Sequence, residues 1–293
     1  MIKISFSADI KKQLCAAEYE CPQCGVCELA GIIEFSGSVK DGAIRLVTEN
    51  ADTAARIEEN MNSFCGVTPL CSKTDKAFLF TVDDEDAAQK VMSGINVFEG
   101  TQENMASDLA LCCLRAYMRG CFLGGGSIND PQKSYHLEFD TKNPAGIDHL
   151  KIALSILGYN TKVTYRKGHY LVYVKGSDTI ADILGLMGAG KGAMDLYEVQ
   201  IEKEMRNSMN RQINCETANM DKSVTAAAKH VAAIKKIIDA NGMEALPDTL
   251  YEMAMVRLEY PDKSLKELSD LMGIGKSGVN HRLKRLLEIA EEY

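Results

Sequence analysis

Residues 276–285 read K-S-G-V-N-H-R-L-K-R, a stretch holding Lys276, Arg282, Lys284 and Arg285 with His281 and no acid. On a helix, Ser277, Asn280, His281 and Lys284 recur every three or four residues, opposite Val279, Leu283 and Leu286. One stripe is then apolar and the other polar and cationic, which suits nucleic-acid recognition. Short polar side chains near the start of such a helix reach base edges in a major groove, and its cations hold phosphates. Ser277 and Asn280 are assigned to base edges, and Lys276, Arg282, Lys284 and Arg285 mainly to phosphates. The competing reading is a solvated basic face on a helical hairpin of a protein-binding module.

Three further constellations could do chemistry. Cys21, Cys24 and Cys27 are spaced by two residues, with Cys15 upstream, a thiolate set open to zinc or an iron-sulfur cluster. No second CxxC pair follows at a finger-like distance, so the plainer reading is preferred: thiols at the entrance and on the buried side of a helix, with no metal and no cofactor. Residues 185–192 read G-L-M-G-A-G-K-G, a phosphate-loop pattern with Gly192 where Ser or Thr should hold magnesium. A helical pattern precedes it where that loop requires a strand, so it reads as a glycine-ended helix and turn. Arg206 and Arg211, among Asn207, Asn210 and Asn214, are candidate phosphate contacts in a connector whose plainer role is to cap its neighbours.

The elements that must position these groups follow from patterning. A chain of 293 residues, 46% hydrophobic, can form two or three domains with real cores. No run is apolar enough to span a bilayer and no secretory signal opens the chain, so a cytoplasmic protein with reduced cysteines is expected, without a membrane or small-molecule partner. The net charge of -8 is uneven: residues 1–105 carry 9 basic and 17 acidic side chains, residues 106–205 carry 11 of each, and residues 206–293 carry 13 of each. Phosphate contacts supply most non-specific affinity for nucleic acid, so the acidic first third is a poor DNA-gripping surface.

The C-terminal segment, residues 223–293, reads as helices. One carries Val224, Ala227, Val231, Ile234 and Ile238 on a face and stops at Asn241-Gly242. The next has Pro247 in its first turn. A third is opened by Ser264 and Glu267 as a capping box, and Gly273 and Gly275 then turn the chain into the basic helix. Leu265, Leu268, Leu271, Ile274, Val279, Leu283 and Leu286 are the expected small core. Residues 206–222 are Asn-rich, lack an apolar stripe and read as the connector.

Residues 1–205 contain a duplication. Residues 117–128 read Y-M-R-G-C-F-L-G-G-G-S-I and residues 28–39 read E-L-A-G-I-I-E-F-S-G-S-V; setting Gly31 on Gly120 also aligns Gly37 with Gly126 and Ser38 with Ser127. Each copy is an apolar helix run ending in a glycine expected to close the helix in the left-handed conformation. An opening helix over residues 7–20 precedes the first copy. A strand over 44–48, a helix over 53–64 with Ala54, Ile57, Met61 and Phe64 on one face, a strand over 77–82 and a helix over 85–92 follow it. After the second copy come a strand over 135–140, a helix over 147–157, a hairpin of 162–166 and 170–175 turning at Gly168 and His169, and a helix over 179–187. Tandem α-β-β-α-β-β-α units imply a pseudo-twofold α+β domain with repeats of about 1–105 and 106–205, its sheets covered by helices on one face.

Leu29-Ala30-Gly31-Ile32-Ile33-Glu34-Phe35-Ser36-Gly37 resembles the L-A-G-L-I-D-A-D-G motif of homing endonucleases, whose two motif helices pack side by side. With the C-terminal helix-turn-helix, the chain resembles the WhiA family of bacterial sporulation and cell-division regulators over essentially its whole length. The most specific pieces are A-Y-M-R-G-C-F-L-G-G-G-S-I with Y-H-L-E-F, the N-R-Q-I-N-C-E-T-A-N connector, and S-L-K-E-L-S-D-L-M-G leading to G-K-S-G-V-N-H-R-L-K-R-L. The resemblance implies a duplicated LAGLIDADG-like α+β domain, an all-α helix-turn-helix domain, double-stranded DNA as partner, and a nucleoid-associated role in cell division, chromosome segregation and sporulation.

In the nucleases the acid just before the last glycine of each motif binds the catalytic metal. Those positions here are Ser36 and Gly125, and the earlier acid, Glu34, has Leu123 as its counterpart. Magnesium chemistry needs hard oxygen ligands at the helix ends, so no enzymatic activity is expected. Two alternatives remain: a metal-dependent nuclease, and a scaffold whose acidic first repeat docks a sigma factor or another regulator.

Overall fold

Two helices carry the duplicated motif, and the first repeat is built around the earlier of them. In a computed structural model that describes residues 5–97, 109–240 and 243–292, the order is α1 (Phe6–Cys15), α2 (Pro22–Ser36), β1 (Gly37–Lys40), β2 (Ala43–Thr48), α3 (Ala51–Asn60), β3 (Leu70–Lys73), β4 (Phe78–Val82) and α4 (Glu85–Gly94). The second repeat gives α5 (Leu111–Gly125), β5 (Gly126–Ile128), β6 (Leu137–Thr141), α6 (Pro144–Ile156), β7 (Lys162–Arg166), β8 (His169–Val174) and α7 (Ser177–Met187). Each repeat folds a four-stranded antiparallel sheet, ordered β1-β2-β4-β3 and β5-β6-β8-β7. The same crossover twice is the duplication expressed in space. Burial alternates along β2 and β6, so each sheet turns one face to the core and one outward.

The α+β duplication matches the expectation, and its local details depart in instructive ways. Gly37 and Gly126 are extended, at φ -97°, ψ 162° and φ -85°, ψ 148°, because each already begins a strand. They are glycine for lack of room: a Cβ on Gly37 would stand 2.4 Å from the Ile33 carbonyl oxygen, and one on Gly126 2.3 Å from the Phe122 ring. Helix α1 stops at Cys15, short of residue 20. Helix α3 passes at Met61 into a π-helical turn, Met61–Cys65, closed by left-handed Gly66, so Phe64 is only half-buried. The β7-β8 turn is Lys167-Gly168, both at positive φ, and His169 already belongs to β8. The pseudo phosphate loop is a helix end: Gly188 caps α7 at φ +105°, and buried Gly192 lies under α1, where a Cβ would meet Ile10 at 2.0 Å.

Helix α8 (Gly190–Asp239) contains residues 206–222, which are helical and solvent-exposed throughout. No face of this stretch is buried and its few large apolar residues, Met209, Ile213 and Met220, are exposed among polar ones, which is why it reads as an irregular connector. The chain divides into two units at this helix, Met1–Lys203 and Glu204–Tyr293. In the second, α8 presents Ala227, His230, Ile234 and Ile237 inward, while Val224 and Ile238 are exposed. The expected stop at Asn241-Gly242 lies outside the described residues. Helices α9 (Asp248–Glu259), α10 (Leu265–Met272) and α11 (Lys276–Glu291) complete the unit; Pro247 is the N-cap of α9, one residue before the expected first turn.

A buried cation sets the approach to α10. Arg257 is 1% exposed and its Nη1 donates to the carbonyl oxygens of Tyr260, Pro261 and Lys263 at 3.4, 3.3 and 2.8 Å, fixing the α9-α10 turn. Buried His230 lies near it, and its Nδ1 has no hydrogen-bond partner among the described residues. Burial first, and the charge of Arg257 second, hold the His230 imidazole below its usual range. The unfolded chain therefore binds this proton more readily, so the unit loses stability as the pH falls below about 6.5 and through the lower folded value. His230→Gln should flatten that part of the pH dependence of the denaturation midpoint; an unchanged slope between about pH 7 and pH 5.5 would rule His230 out.

Candidate nucleic-acid interface

Helices α10 and α11 form the expected helix-turn-helix. Ser264 caps α10 and Glu267 reaches back to the Ser264 amide at 2.8 Å, closing the capping box. Gly273 ends α10 at φ +63°, a left-handed position that suits glycine. Leu268, Val279, Leu283 and Leu286 are buried, with Ile234, Ile237, Leu250 and Met253 in the same core. Leu271, expected inside, is 51% exposed, and Met272, four residues on from buried Leu268, packs against the core in its place.

Anchored on that core, α11 turns its other face outward. Lys276, Ser277, Asn280, His281, Lys284 and Arg285 are all exposed. No side chain caps its N-terminus at Gly275, so the first-turn amides stay open to an anion. Two cations are less free than the sequence suggests. Arg282 is half-buried and turns toward α9, 3.6 Å from Glu252 and 3.5 Å from the Thr249 carbonyl oxygen. Arg285 pairs with Glu288 at 2.9 Å. Lys276 and Lys284 have no ion-pair partner among the described residues, which leaves them the most available phosphate ligands of the set. Arg206 and Arg211 are exposed on the polar stretch of α8.

In the first unit, the paired motif helices end where a nuclease would hold its metals. The Ser36 hydroxyl turns back to donate to the Ile32 carbonyl oxygen at 2.8 Å. A Cβ on Gly125 would stand 2.1 Å from the Asp140 carbonyl oxygen, so no carboxylate fits there. Half-buried Glu34 is engaged by the Tyr117 hydroxyl and by His149 Nδ1 at 3.0 Å. Ser36 and Gly125 line a hollow whose acid is one the motif reading missed, Asp140 on β6, which His169 Nδ1 approaches at 2.5 Å. Strand spacing alone carries no sign of that pair; the β6-β8 register brings it together.

The other end of the seam is polar and closed. Glu28, fully buried, accepts hydrogen bonds from Tyr19, Arg56 and Asn60 at 2.9, 2.8 and 3.1 Å and from Arg119 of the second repeat. That network is structural, because each partner ends on the same carboxylate and none is left open to a ligand. The thiols nearby are not grouped as expected. Cys15 lies against Thr53 at 3.9 Å, and Cys27 is fully buried, while Cys21 and Cys24 gather with Cys112 and Cys113, which the local spacing gave no reason to include.

Comparison with known proteins agrees with both halves. A family model described as the WhiA C-terminal HTH domain matches residues 209–290, and one described as the WhiA LAGLIDADG-like domain matches residues 114–206. Proteins called "Probable cell division protein WhiA" from Clostridium botulinum (strain Hall) and Ruminiclostridium cellulolyticum are 36% and 37% identical, over 99% and 98% of this chain and 98% and 97% of theirs. Among solved structures, full-length DUF199/WhiA from Thermatoga maritima superposes with a TM-score of 0.63 at 22% identity, covering 99% of each chain. The isolated N-terminal LAGLIDADG domain of DUF199/WhiA gives 0.51 at 19%, covering 64% of this chain and 94% of that one. Among the described residues no helix is long and apolar enough to cross a membrane. Matched end to end by relatives of this identity, the chain belongs to the WhiA family.

Proposed function

We propose that this chain is a DNA-binding transcription regulator of the WhiA type, acting on double-stranded DNA at the nucleoid in cell division, chromosome segregation and, where the organism sporulates, sporulation. Residues 223–293 supply the DNA-reading part and residues 1–205 a catalytically silent LAGLIDADG-like scaffold, open to a sigma factor or another regulator. The observation that carries this reading is the face of α11: exposed Ser277, Asn280, His281 and Lys284 stand over buried Val279, Leu283 and Leu286, with no acid between residues 276 and 285. The name shared by the full-length relatives supports the cell-division role. Ser36 turned inward and the absence of room at Gly125 support a domain that does not cleave DNA.

The experiment is to map genomic binding sites for the parent protein and for Asn280→Ala. An amide on a base edge contributes roughly 1–3 kcal/mol of discrimination, so the variant should keep its general affinity while one position of the bound motif relaxes. A variant with an identical motif would place Asn280 off the bases. A parent with no enriched sites at all would defeat the reading itself.

A further inference from the structure

The Sγ atoms of Cys21, Cys24, Cys112 and Cys113 all lie within 4.8 Å of one another. Cys21 stands 3.4 Å from Cys24, 3.6 Å from Cys113 and 3.8 Å from Cys112. A tetrahedral ion bound to thiolates at about 2.3 Å sets its sulfurs roughly 3.8 Å apart, so the three separations from Cys21 already fit and the others need to close by about 1 Å at most. That spacing fits one ion better than a multi-iron cluster, where each thiolate sits on a separate iron and the sulfurs spread wider. All four cysteines are free, and they form a set of four rather than two pairs.

Their placement in the fold is not accidental to the duplication. Aligning Gly31 with Gly120 also aligns Cys24 with Cys113, and each is the third residue of its helix, α2 or α5. Cys21 is the N-cap of α2, and Cys112 is the second residue of α5. Neither helix has a side-chain cap or an acid in its first turn. The positive ends of two helices therefore stand beside the sulfurs, which favours thiolate.

The set of sulfurs is largely enclosed and has a way in. Cys24 and Cys113 are 1% and 2% exposed, whereas Cys21 and Cys112 are half-buried, and Cys24 and Cys112 line a hollow with Glu18, Glu20, Arg115 and Arg119. Arg115 ion-pairs through Nη2 with Glu20 at 3.0 Å, and its buried Nε has no hydrogen-bond partner among the described residues.

We infer that Cys21, Cys24, Cys112 and Cys113 form a tetrathiolate site for one zinc ion, which clips together the N-terminal ends of α2 and α5 and so fastens the two repeats. Zinc is favoured over harder cations because all four donors are sulfur and no oxygen ligand joins the set. Binding converts four thiols to thiolates and releases up to four protons, with no change of oxidation state, so uptake strengthens as the pH rises.

The test uses the full chain, purified under reducing conditions, stripped with a chelator, and titrated with zinc chloride or cobalt chloride. One equivalent should bind, and the cobalt form should show thiolate-to-metal charge transfer with intense tetrahedral visible bands. Cys21→Ser with Cys112→Ser, both at half-buried positions, should abolish stoichiometric binding while the far-ultraviolet circular dichroism stays native; Cys71→Ser with Cys215→Ser, both exposed, should leave it intact. Zinc should also raise the melting temperature of the parent and not of the first variant. Sub-stoichiometric zinc in a folded parent, cobalt bands that survive in the Cys21/Cys112 variant, isolation of the protein with a Cys21-Cys24 disulfide that resists reductant, or reconstitution only with iron and sulfide would each overturn the assignment.

Discussion

Gly120→Ala is expected to destabilise the N-terminal unit by more than about 4 kcal/mol, enough to leave a domain of ordinary stability largely unfolded. A Cβ at residue 120 would stand 2.0 Å from the Glu28 carbonyl oxygen and 2.8 Å from its carbon, and one on Gly31 would stand 2.4 Å from the Tyr117 carbonyl oxygen. Backbone faces backbone, so no side chain can rotate away and the helices must part. Parting them also draws Arg119 from Glu28, and a buried carboxylate deprived of a partner costs about 3–5 kcal/mol. Gly185→Ala is the matched control, in a helix with nothing within 4 Å of the new methyl group; it should be neutral or gain about 0.5–1 kcal/mol. Denaturant titration of both decides the matter, and a Gly120→Ala protein melting within about 2 °C of its parent would mean that the seam can breathe.

Lys284→Ala with Arg285→Ala should weaken DNA binding by about 10- to 100-fold at moderate salt and lower the slope of log affinity against log salt by roughly 0.9 for each phosphate the variant no longer neutralises. The two residues should not contribute equally. Arg285 spends part of its charge on Glu288 at 2.9 Å, whereas Lys284 is exposed beside Asn280 and His281. Lys284→Ala alone should therefore account for most of the change, across all sequences alike, because phosphates carry no sequence information. Both side chains stand on the outward face, away from Val279, Leu283 and Leu286, so the variant should melt as the parent does. Unaltered affinity and salt slope would move the phosphate-binding surface off α11.

The motif seam shows why one pattern can be read correctly in outline and mistaken in cause. Gly31, Gly37, Gly120 and Gly126 announce a duplicated helix end, and the α-β-β-α-β-β-α order follows from that rhythm. Left-handed caps are the usual reason for such glycines, but at Gly37 and Gly126 the reason is close approach to residues four positions back as the helix gives way to a strand. Likewise Arg282 reads as a phosphate ligand from spacing, and only its approach to Glu252 on α9 shows part of its charge is already engaged.

Residue pattern along the chain was enough to define the tandem α+β unit, the capping box at Ser264 and Glu267, the acid-free stretch of α11 and the replacement of the paired motif acids by Ser36 and Gly125. These are local or periodic properties, decided within one or two turns of a helix or by comparing two copies of one pattern. Only folding in three dimensions joins Cys112 and Cys113 to Cys21 and Cys24, sets Arg119 against Glu28, and buries His230 near Arg257. Each of those groupings joins residues far apart in the chain. They meet because two small-residue helices can bring their backbones together, or because a buried cation pins a turn, and no spacing read along the chain encodes that distance.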